Sequence, residues 1–259
     1  MIKKKYTLIT GSTGYLGRTI SENLSKSKIN LIITDINKNN LIKLKEKLKK
    51  KYSNDVKTIV CDLEKLKSRD TLINFVKKNK YNVDCLINNA AFVGTSKLKG
   101  WNEKFDKQSL ETWNRCIEVN LNSVFHLCKE LSPILKKQKN ANIVNIASMY
   151  GFLAPDLNLY SNTNINNPAA YSTSKAGIIY LTKWLASTLA PNIRVNSISP
   201  GGIFRDQDKR FIKKYINSTP LKRMAKEEDF IGIIRFLSSE MSSYITGQNI
   251  IVDGGRSII

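Results

Sequence analysis

The feature that most restricts the fold of this chain is a glycine-rich turn near its amino terminus. The apolar run Tyr6-Thr-Leu-Ile-Thr10 is followed at once by Gly11, Gly14 and Gly17, and a predicted helix then continues to about Lys26. In such a strand–turn–helix unit the first glycine permits a tight turn and the second lets backbone approach a pyrophosphate. The third lets the helix pack closely on the sheet, and the free N–H groups of the helix face the phosphates. The turn therefore predicts a dinucleotide-binding unit.

The rest of the chain continues this alternation of strand and helix. Seven short apolar runs alternate with about six helical segments, which is the pattern of parallel βαβ units. We therefore predict an α/β chain with a doubly wound parallel sheet of about seven strands and helices on both faces, forming a single domain over residues 1–259. Ligands of such sheets bind beyond the carboxyl ends of the strands. Six residues fall at those ends: Gly11, Asp35, Asp62, Asn88, Ser148 and Pro200.

One of these strand ends bears on the choice of cofactor. Asp35 closes the strand Asn30-Leu-Ile-Ile-Thr34 at the distance from the glycine turn where an acidic residue holds the adenosine ribose. A carboxylate there can accept hydrogen bonds from both ribose hydroxyls and repels a 2′-phosphate. The sequence therefore favours NAD over NADP.

A second motif carries acid–base chemistry. Tyr171 and Lys175 lie four residues apart, so on a helix they share one face. An ammonium close to a phenol favours the phenolate and lowers the tyrosine pKa, which would let Tyr171 exchange a proton near neutral pH. Alone the motif is weak, because a surface lysine beside a packing tyrosine is the commoner arrangement.

The net charge of the chain raises a second class of function, the binding of nucleic acid or of a membrane surface. Lys and Arg number 42 against 21 Asp and Glu, giving a formal net charge of +21. Such a charge suits nucleic acid or an anionic membrane surface. However, no nucleic-acid-binding motif accompanies it, and lysine-rich stretches such as residues 38–51 show a leucine stripe with lysines over the rest of the helix. We expect a solvated basic surface and no specific nucleic-acid partner.

Motifs that the sequence lacks argue against several other classes of protein. No run of 18 apolar residues is present, so we expect no membrane span, and the amino terminus shows no apolar signal region. The four cysteines show no Cys-x-x-Cys pairing, so we expect neither a metal nor disulfides, and a reducing cytoplasm fits. Ser148 is not in a Gly-x-Ser-x-Gly elbow, which argues against a hydrolase that uses the single histidine, His126.

Taken together, these motifs resemble the short-chain dehydrogenase/reductase family over essentially the whole chain. The resemblance implies a Rossmann-type fold and hydride transfer between a nicotinamide cofactor and an alcohol or carbonyl carbon of a small molecule. The matching pieces are residues 10–17, Asp62, Asn88-Asn89-Ala90, Asn120, Ser148, Tyr171 with Lys175, and Pro200-Gly201. Separately, the predicted helix at 168–189 is apolar on more than one side, so we expect it to pack against a partner subunit in a homodimer or homotetramer.

The resemblance also assigns roles to residues. Tyr171 would be the general acid/base, Lys175 would lower its pKa and bind the nicotinamide ribose, and Ser148 would hydrogen-bond the substrate oxygen. Asn120 would hold a water in a proton relay from Lys175. The implied cofactor-binding residues are Gly11, Thr13, Gly14, Tyr15, Leu16, Gly17, Asp35, Asp62, Leu63, Asn89, Ala90, Ala91, Tyr171, Lys175, Pro200, Gly201 and Ile203.

Two segments depart from the family's pattern and bear on the substrate. Ser148 and Tyr171 are 23 residues apart, a longer separation than is usual, and the extra residues form an Asn-rich loop at about 154–168 that contains Tyr160. A basic, mobile segment at about 203–219, with Arg205 nearest the nicotinamide, is expected to close over the substrate as a lid. We predict Tyr160 and Arg205 as substrate-binding residues.

These segments favour a polar, sugar-like substrate, with or without a phosphate group. Asparagine amides suit sugar hydroxyls, and arginine suits phosphate or carboxylate. The long loop also looks like members found with bacterial surface-sugar and flagellin-modification enzymes. Two alternatives stay open: a 3-oxoacyl thioester reductase, and a regulatory protein that binds NAD without turnover.

Overall fold

The structure, a computed structural model, describes residues 4–93, 98–163 and 165–259. Its strands are β1 (Lys5–Thr10), β2 (Asn30–Asp35), β3 (Val56–Val60), β4 (Asn82–Asn88), β5 (Ala141–Ile146), β6 (Ile193–Pro200) and β7 (Asn249–Val252). They form one sheet in the order β3-β2-β1-β4-β5-β6-β7, and every neighbouring pair is parallel. The strand order reverses between β1 and β4, which is where such sheets bind ligands. The predicted doubly wound parallel sheet is therefore confirmed.

Helices connect the strands and cover both faces of the sheet. They are α1 (Tyr15–Lys26), α2 (Lys38–Lys51), α3 (Leu66–Lys78), α4 (Leu110–Ile117), α5 (Ser123–Leu135), α6 (Leu157–Tyr160), α7 (Ala169–Leu189), α8 (Lys209–Asn217) and α9 (Ile231–Leu237). Ser109 caps α4, because its hydroxyl accepts from the Thr112 N–H, as serine before a helix commonly does. Asn167 does not cap α7: the Gln108 side chain accepts from the Ala169 N–H instead.

The core lies in two layers, one on each side of the sheet. Leu8, Ile32 and Leu86 point to the side covered by α3, α5 and α7, and the residues that follow them along each strand point to the side covered by α1, α2 and α9. Side chains alternate across a strand, so a strand buried on both faces must be apolar at every position. This explains why the strands appear in the sequence as continuous apolar runs.

The two segments expected to be irregular contain helices. The basic segment 203–219 forms α8, whose Phe211 and Tyr215 are buried against Met149 and Met224. The Asn-rich loop contains α6, which begins where the Asp156 carboxylate accepts from the Asn158 N–H. Four-residue spacing of two aromatic residues gives α8 a buried stripe, a signal that its many charged residues obscured.

Some predicted features lie partly outside the described residues. The chain start, the loop predicted at 92–108 and the long loop at 154–168 include positions 1–3, 94–97 and 164, so each is described only in part. Across the described ranges, every helix is too short or too polar to span a bilayer.

Candidate active site

The glycine turn between β1 and α1 has the geometry that its spacing predicts. Gly11 has a positive φ of 62°, and a Cβ on it would lie 2.7 Å from the Ala90 Cα. A Cβ on Gly17 would lie 2.0 Å from the Gly11 carbonyl oxygen. Gly14 differs, because a Cβ there would meet only the Gly11 oxygen at 3.4 Å. Protein packing therefore explains Gly11 and Gly17, while Gly14 leaves open space at the start of the helix.

Side-chain hydrogen bonds join this turn to the end of β4. The Asn89 amide donates to the carbonyl oxygens of Thr10 and Gly11, both at 3.0 Å. The Thr10 hydroxyl accepts from the backbone N–H groups of Asn89 and Ala90, both at 3.1 Å. Because β1 and β4 flank the point where the strand order reverses, these bonds fix the floor of the ligand crevice.

A cavity of about 630 Å³ opens above this floor. Asn37, Cys61, Glu64, Phe92 and Arg115, which the sequence did not single out, also contribute to its wall. The predicted cofactor-binding residues that line it are Gly11, Thr13, Gly14, Tyr15, Leu16, Gly17, Asp35, Asp62, Leu63, Asn89, Ala90 and Ala91.

Backbone hydrogen bonds hold the Asp35 carboxylate at the edge of this cavity. Its Oδ2 accepts from the Thr13 N–H at 2.9 Å, and its Oδ1 accepts from the Ile36 N–H at 2.8 Å. The carboxylate is thus attached to the glycine turn itself. This placement agrees with the predicted role of Asp35 as a ribose-binding acid, which stays a prediction.

Two arginines line the cavity, and each is already paired. Arg115 forms two hydrogen bonds with Glu64 at 2.9 and 3.2 Å, and its guanidinium lies 5.1 Å from the Phe92 ring centroid. Arg205 lies 2.6 Å from Glu227 and 4.4 Å from the ring centroid of Tyr15. Glutamate partners and aromatic faces therefore occupy both cations in this structure. The sequence did not predict Arg115, because its ion pair joins residues 51 positions apart.

Ser148, Tyr171 and Lys175 come together beyond the carboxyl end of β5. Ser148 follows that strand, and its side chain interacts with Tyr171, which lies in the first turn of α7. Lys175, one turn later, has its Nζ 5.7 Å from the Tyr171 ring centroid. The same ammonium donates a hydrogen bond to the Ile146 carbonyl oxygen at 2.7 Å. The fold thus brings the three predicted catalytic side chains together.

The titration of this group differs from the sequence-based expectation. Burial raises the pKa of Tyr171 above that of a free phenol, and the hydrogen bond with Ser148 opposes this only in part. Burial also lowers the pKa of Lys175 to about 8. The expected lowering of the Tyr171 pKa by Lys175 is therefore not found here. Desolvation outweighs attraction, and the ammonium is directed to Ile146.

Asn120 lies in a π-helical turn, Glu118–Asn122, between α4 and α5. Its Oδ1 accepts from the Phe92 N–H at 2.6 Å, and its amide donates to the Ser174 hydroxyl at 3.0 Å. Short π-helical stretches are frequent at functional sites. Among the described contacts, Asn120 connects the segment after β4 to α7 and makes no direct bond to Lys175, so the proposed water relay stays a prediction.

A second cavity, of about 490 Å³, adjoins the first at Val93 and Arg205, which line both. Tyr171 lines it, as do the predicted substrate residue Tyr160 and the nearby Tyr150. Amide and aromatic side chains form most of the remaining wall: Trp101, Asn102, Asn166, Asn167 and Gln207.

The predicted cofactor residues after β6 occupy other positions. The Gly201 N–H donates to the Val252 carbonyl at 2.9 Å, and Ile203 forms a β-bridge with Ala225. Pro200, Gly201, Ile203 and Lys175 do not line either of these cavities. Their roles toward a cofactor remain predictions.

The fold and the site together define an oxidoreductase class: a nucleotide crevice beside a tyrosine, a serine and a lysine. Comparison with known proteins identifies the family. A family model described as enoyl-(acyl carrier protein) reductase matches residues 14–257. The chain is 31% identical to the post-translational flagellin modification protein A of Campylobacter coli, covering 98% of this chain and 99% of that protein. It belongs to the short-chain dehydrogenase/reductase family, whose members act on alcohol and carbonyl groups.

Further relatives share this full-length match. The chain is 34% identical to the 3-oxoacyl-[acyl-carrier-protein] reductase FabG of Buchnera aphidicola, covering 98% of both chains. The crystal structure of a short-chain dehydrogenase from Leptospira borgpetersenii with bound NAD+ superposes with a TM-score of 0.83, at 33% identity, over 98% of this chain and 93% of that chain. The predicted family is confirmed, as is the likeness to a flagellin-modification enzyme.

Proposed function

We propose that this protein is an NAD(H)-dependent oxidoreductase in which Tyr171 transfers the proton that accompanies hydride transfer. One observation carries the proposal. Tyr171 lines a cavity that adjoins the crevice built on the glycine turn, and Val93 and Arg205 line both. A general acid beside a nucleotide crevice is what such a reaction requires.

The crevice fits a dinucleotide. Gly14 leaves room for a phosphate at the start of α1, where no side chain caps the free N–H groups. Asp35 is positioned to hold the adenosine ribose and favours NAD, the cofactor bound in the Leptospira relative. When bound, the nicotinamide supplies or accepts the hydride.

Side chains of this protein then bind the substrate oxygen and transfer the proton. Ser148 and Tyr171 together can bind one substrate oxygen, which orients the reacting carbon. Burial keeps the Tyr171 pKa raised, so the phenol holds its proton at neutral pH and can donate it to a carbonyl oxygen. In the reverse direction the phenolate form of Tyr171 accepts the proton of an alcohol.

We also propose a polar, sugar-like substrate. The second cavity is lined by tyrosine and amide side chains, and a probable galactose dehydrogenase of Rhizobium meliloti is 30% identical to this chain. A 3-oxoacyl thioester is the second candidate, because reductases named for it are 34% identical. A purely regulatory role would not require the catalytic side chains Ser148, Tyr171 and Lys175.

A matched pair of tyrosine variants tests the mechanism. Tyr171→Phe keeps the ring and removes the proton, so turnover should fall by ~10²–10⁴ while NADH binding changes little. Tyr180→Phe, on the exposed side of the same helix, should behave as wild type. Turnover is followed by NADH absorbance with sugars, sugar phosphates and a 3-oxoacyl thioester.

Two results would contradict parts of this proposal. A Tyr171→Phe enzyme with near-normal turnover would exclude Tyr171 as the acid/base. Turnover of the thioester alone would establish the second candidate and exclude the sugar-like substrate.

We further propose that residues 1–259 act as one domain in a homodimer or homotetramer in the cytoplasm. Phe125 on α5 and Trp184 on α7 are each about half exposed, which supports burial against a second copy. The cysteines at 61, 85, 116 and 128 are free and buried, which suits a reducing compartment.

A further inference from the structure

Two phenols form a hydrogen-bonded pair in the wall of the cavity beside Tyr171. The hydroxyl groups of Tyr150 and Tyr160 lie 2.5 Å apart, and both rings line the cavity. Tyr150 follows Ser148 by two residues, whereas Tyr160 comes from the long Asn-rich loop. The loop therefore brings a polar group close to the residues that bind the reacting oxygen.

The position of Tyr160 is fixed from several sides. Its ring lies 5.5 Å from the ring centroid of Phe211 in α8, and its carbonyl oxygen accepts from the Thr163 hydroxyl at 2.7 Å. Lys214 of α8 donates to the carbonyl oxygens of Asn158 and Ser161 at 2.8 and 2.7 Å. A recognition group needs this rigidity, because a mobile phenol would lose entropy on binding.

The donors and acceptors around the pair leave one proton unused. The Asn167 Oδ1 accepts from the Ser172 hydroxyl at 2.7 Å, so its amide N–H is the group that can bond the Tyr160 hydroxyl. The two phenols carry two O–H protons, and the bond between them uses one. No described residue accepts the second proton, which is therefore free to face the cavity.

Three other polar groups in this wall are already engaged. The Gln207 amide donates to the Ile203 carbonyl at 2.7 Å and accepts from the Arg205 N–H at 2.8 Å. The Asn167 Oδ1 accepts from Ser172, and Arg205 is paired with Glu227. These three groups are therefore less available to a substrate than the free proton of the phenol pair.

We infer that the Tyr150–Tyr160 pair donates its free proton to a second substrate oxygen, distinct from the oxygen held by Ser148 and Tyr171. The inference rests on the proposed function, since it assigns a specificity-determining role within the same site. It narrows the substrate class to compounds with an oxygen near the reacting carbon, such as vicinal diols and hydroxy ketones. A simple alcohol would leave this donor unpaired, which is how such sites reject an analogue.

A pair of ring alcohols that differ by one hydroxyl tests the inference. Dissociation constants of cis-1,2-cyclohexanediol and cyclohexanol are measured by ligand-observed NMR on the NADH-loaded protein, where neither alcohol can react. Wild type should bind the diol about tenfold more tightly, the factor that one hydrogen bond gives. Tyr150→Phe/Tyr160→Phe should reduce this ratio to about two or less, while Tyr180→Phe keeps it.

Equal binding of the two alcohols by wild type would overturn the inference, and so would an unchanged ratio in a folded double variant. Oxidation by NAD is then measured separately. There, the double variant should raise KM for the diol by a larger factor than it raises KM for cyclohexanol. If wild type binds the diol more tightly but oxidises neither alcohol, the result contradicts the proposed reaction. It does not contradict the role of the phenol pair in binding.

Discussion

At the scale of single residues, Lys175 shows how the fold places a charged group for chemistry at a cost in stability. Its side chain is buried in α7, and among the described residues its Nζ has one close acceptor, the Ile146 carbonyl oxygen. An ammonium can donate three hydrogen bonds, so burial removes more solvation than this contact restores. This imbalance is the physical cause of the lowered pKa of about 8.

The lowered pKa predicts how stability depends on pH. Between pH 8 and the ordinary lysine value of 10.5, the unfolded chain binds the Lys175 proton and the folded chain does not. The free energy of unfolding should therefore rise with pH in this window, by up to ~3 kcal/mol from this group. Lys175→Met should remove that rise and make the protein more stable than wild type at pH 7.

The measurement is urea unfolding at pH 7 and pH 10, with Lys183→Met on an exposed position of the same helix as the control. Wild type and the control should share the same pH dependence. If Lys175→Met shows that dependence too, Lys175 is not the titrating group.

At the scale of secondary-structure elements, the long loop and the expected lid form one unit. The Lys214 ammonium of α8 bonds the backbone at both sides of Tyr160, and Leu159 of α6 is buried in the same cluster as Phe211 and Tyr215. A lid that closes over the substrate would have to carry α6 with it. The two segments that depart most from the family pattern are therefore coupled physically.

This coupling predicts a specific effect of Lys214. Lys214→Met keeps the length of the side chain but removes its hydrogen bonds to Asn158 and Ser161, so amides of residues 157–163 should exchange hydrogen at least several-fold faster. Lys213→Met, on the exposed side of α8, should leave them unchanged. Hydrogen-exchange mass spectrometry measures the exchange of these amides in wild type and in both variants. Equal protection in wild type, Lys214→Met and Lys213→Met would show that the loop is held without Lys214.

At the scale of the whole molecule, patterns among neighbouring residues of the sequence were enough to predict most of the fold. The glycine turn, the apolar strands and the Ser109 cap depend on neighbouring residues, so the sheet and the dinucleotide crevice followed from them. The Arg115–Glu64 pair, the raised Tyr171 pKa and the Tyr150–Tyr160 pair depend on residues that only the fold brings together. Burial, and pairing between residues that are distant in the sequence, do not affect the local spacing of residue types. The sequence therefore did not predict these features.

The net charge of +21 also belongs to this scale, and it gives a prediction about partners. The lysines of α2 illustrate its origin: three end the helix, where they suit the negative end of its dipole, and Leu41, Leu44 and Leu48 alone are buried.

If the charge is a solvated surface, binding to duplex DNA is purely a matter of phosphate contacts. The affinity should then fall steeply with salt, be weaker than about 10⁻⁵ M at 0.15 M salt, and be equal for duplexes of unrelated sequence. Fluorescence anisotropy with two labelled duplexes of equal length, from 0.02 to about 0.2 M salt, checks all three points. Because base contacts and not phosphates carry sequence information, a duplex preference that persists at 0.15 M would require a reading surface that the sequence motifs do not predict.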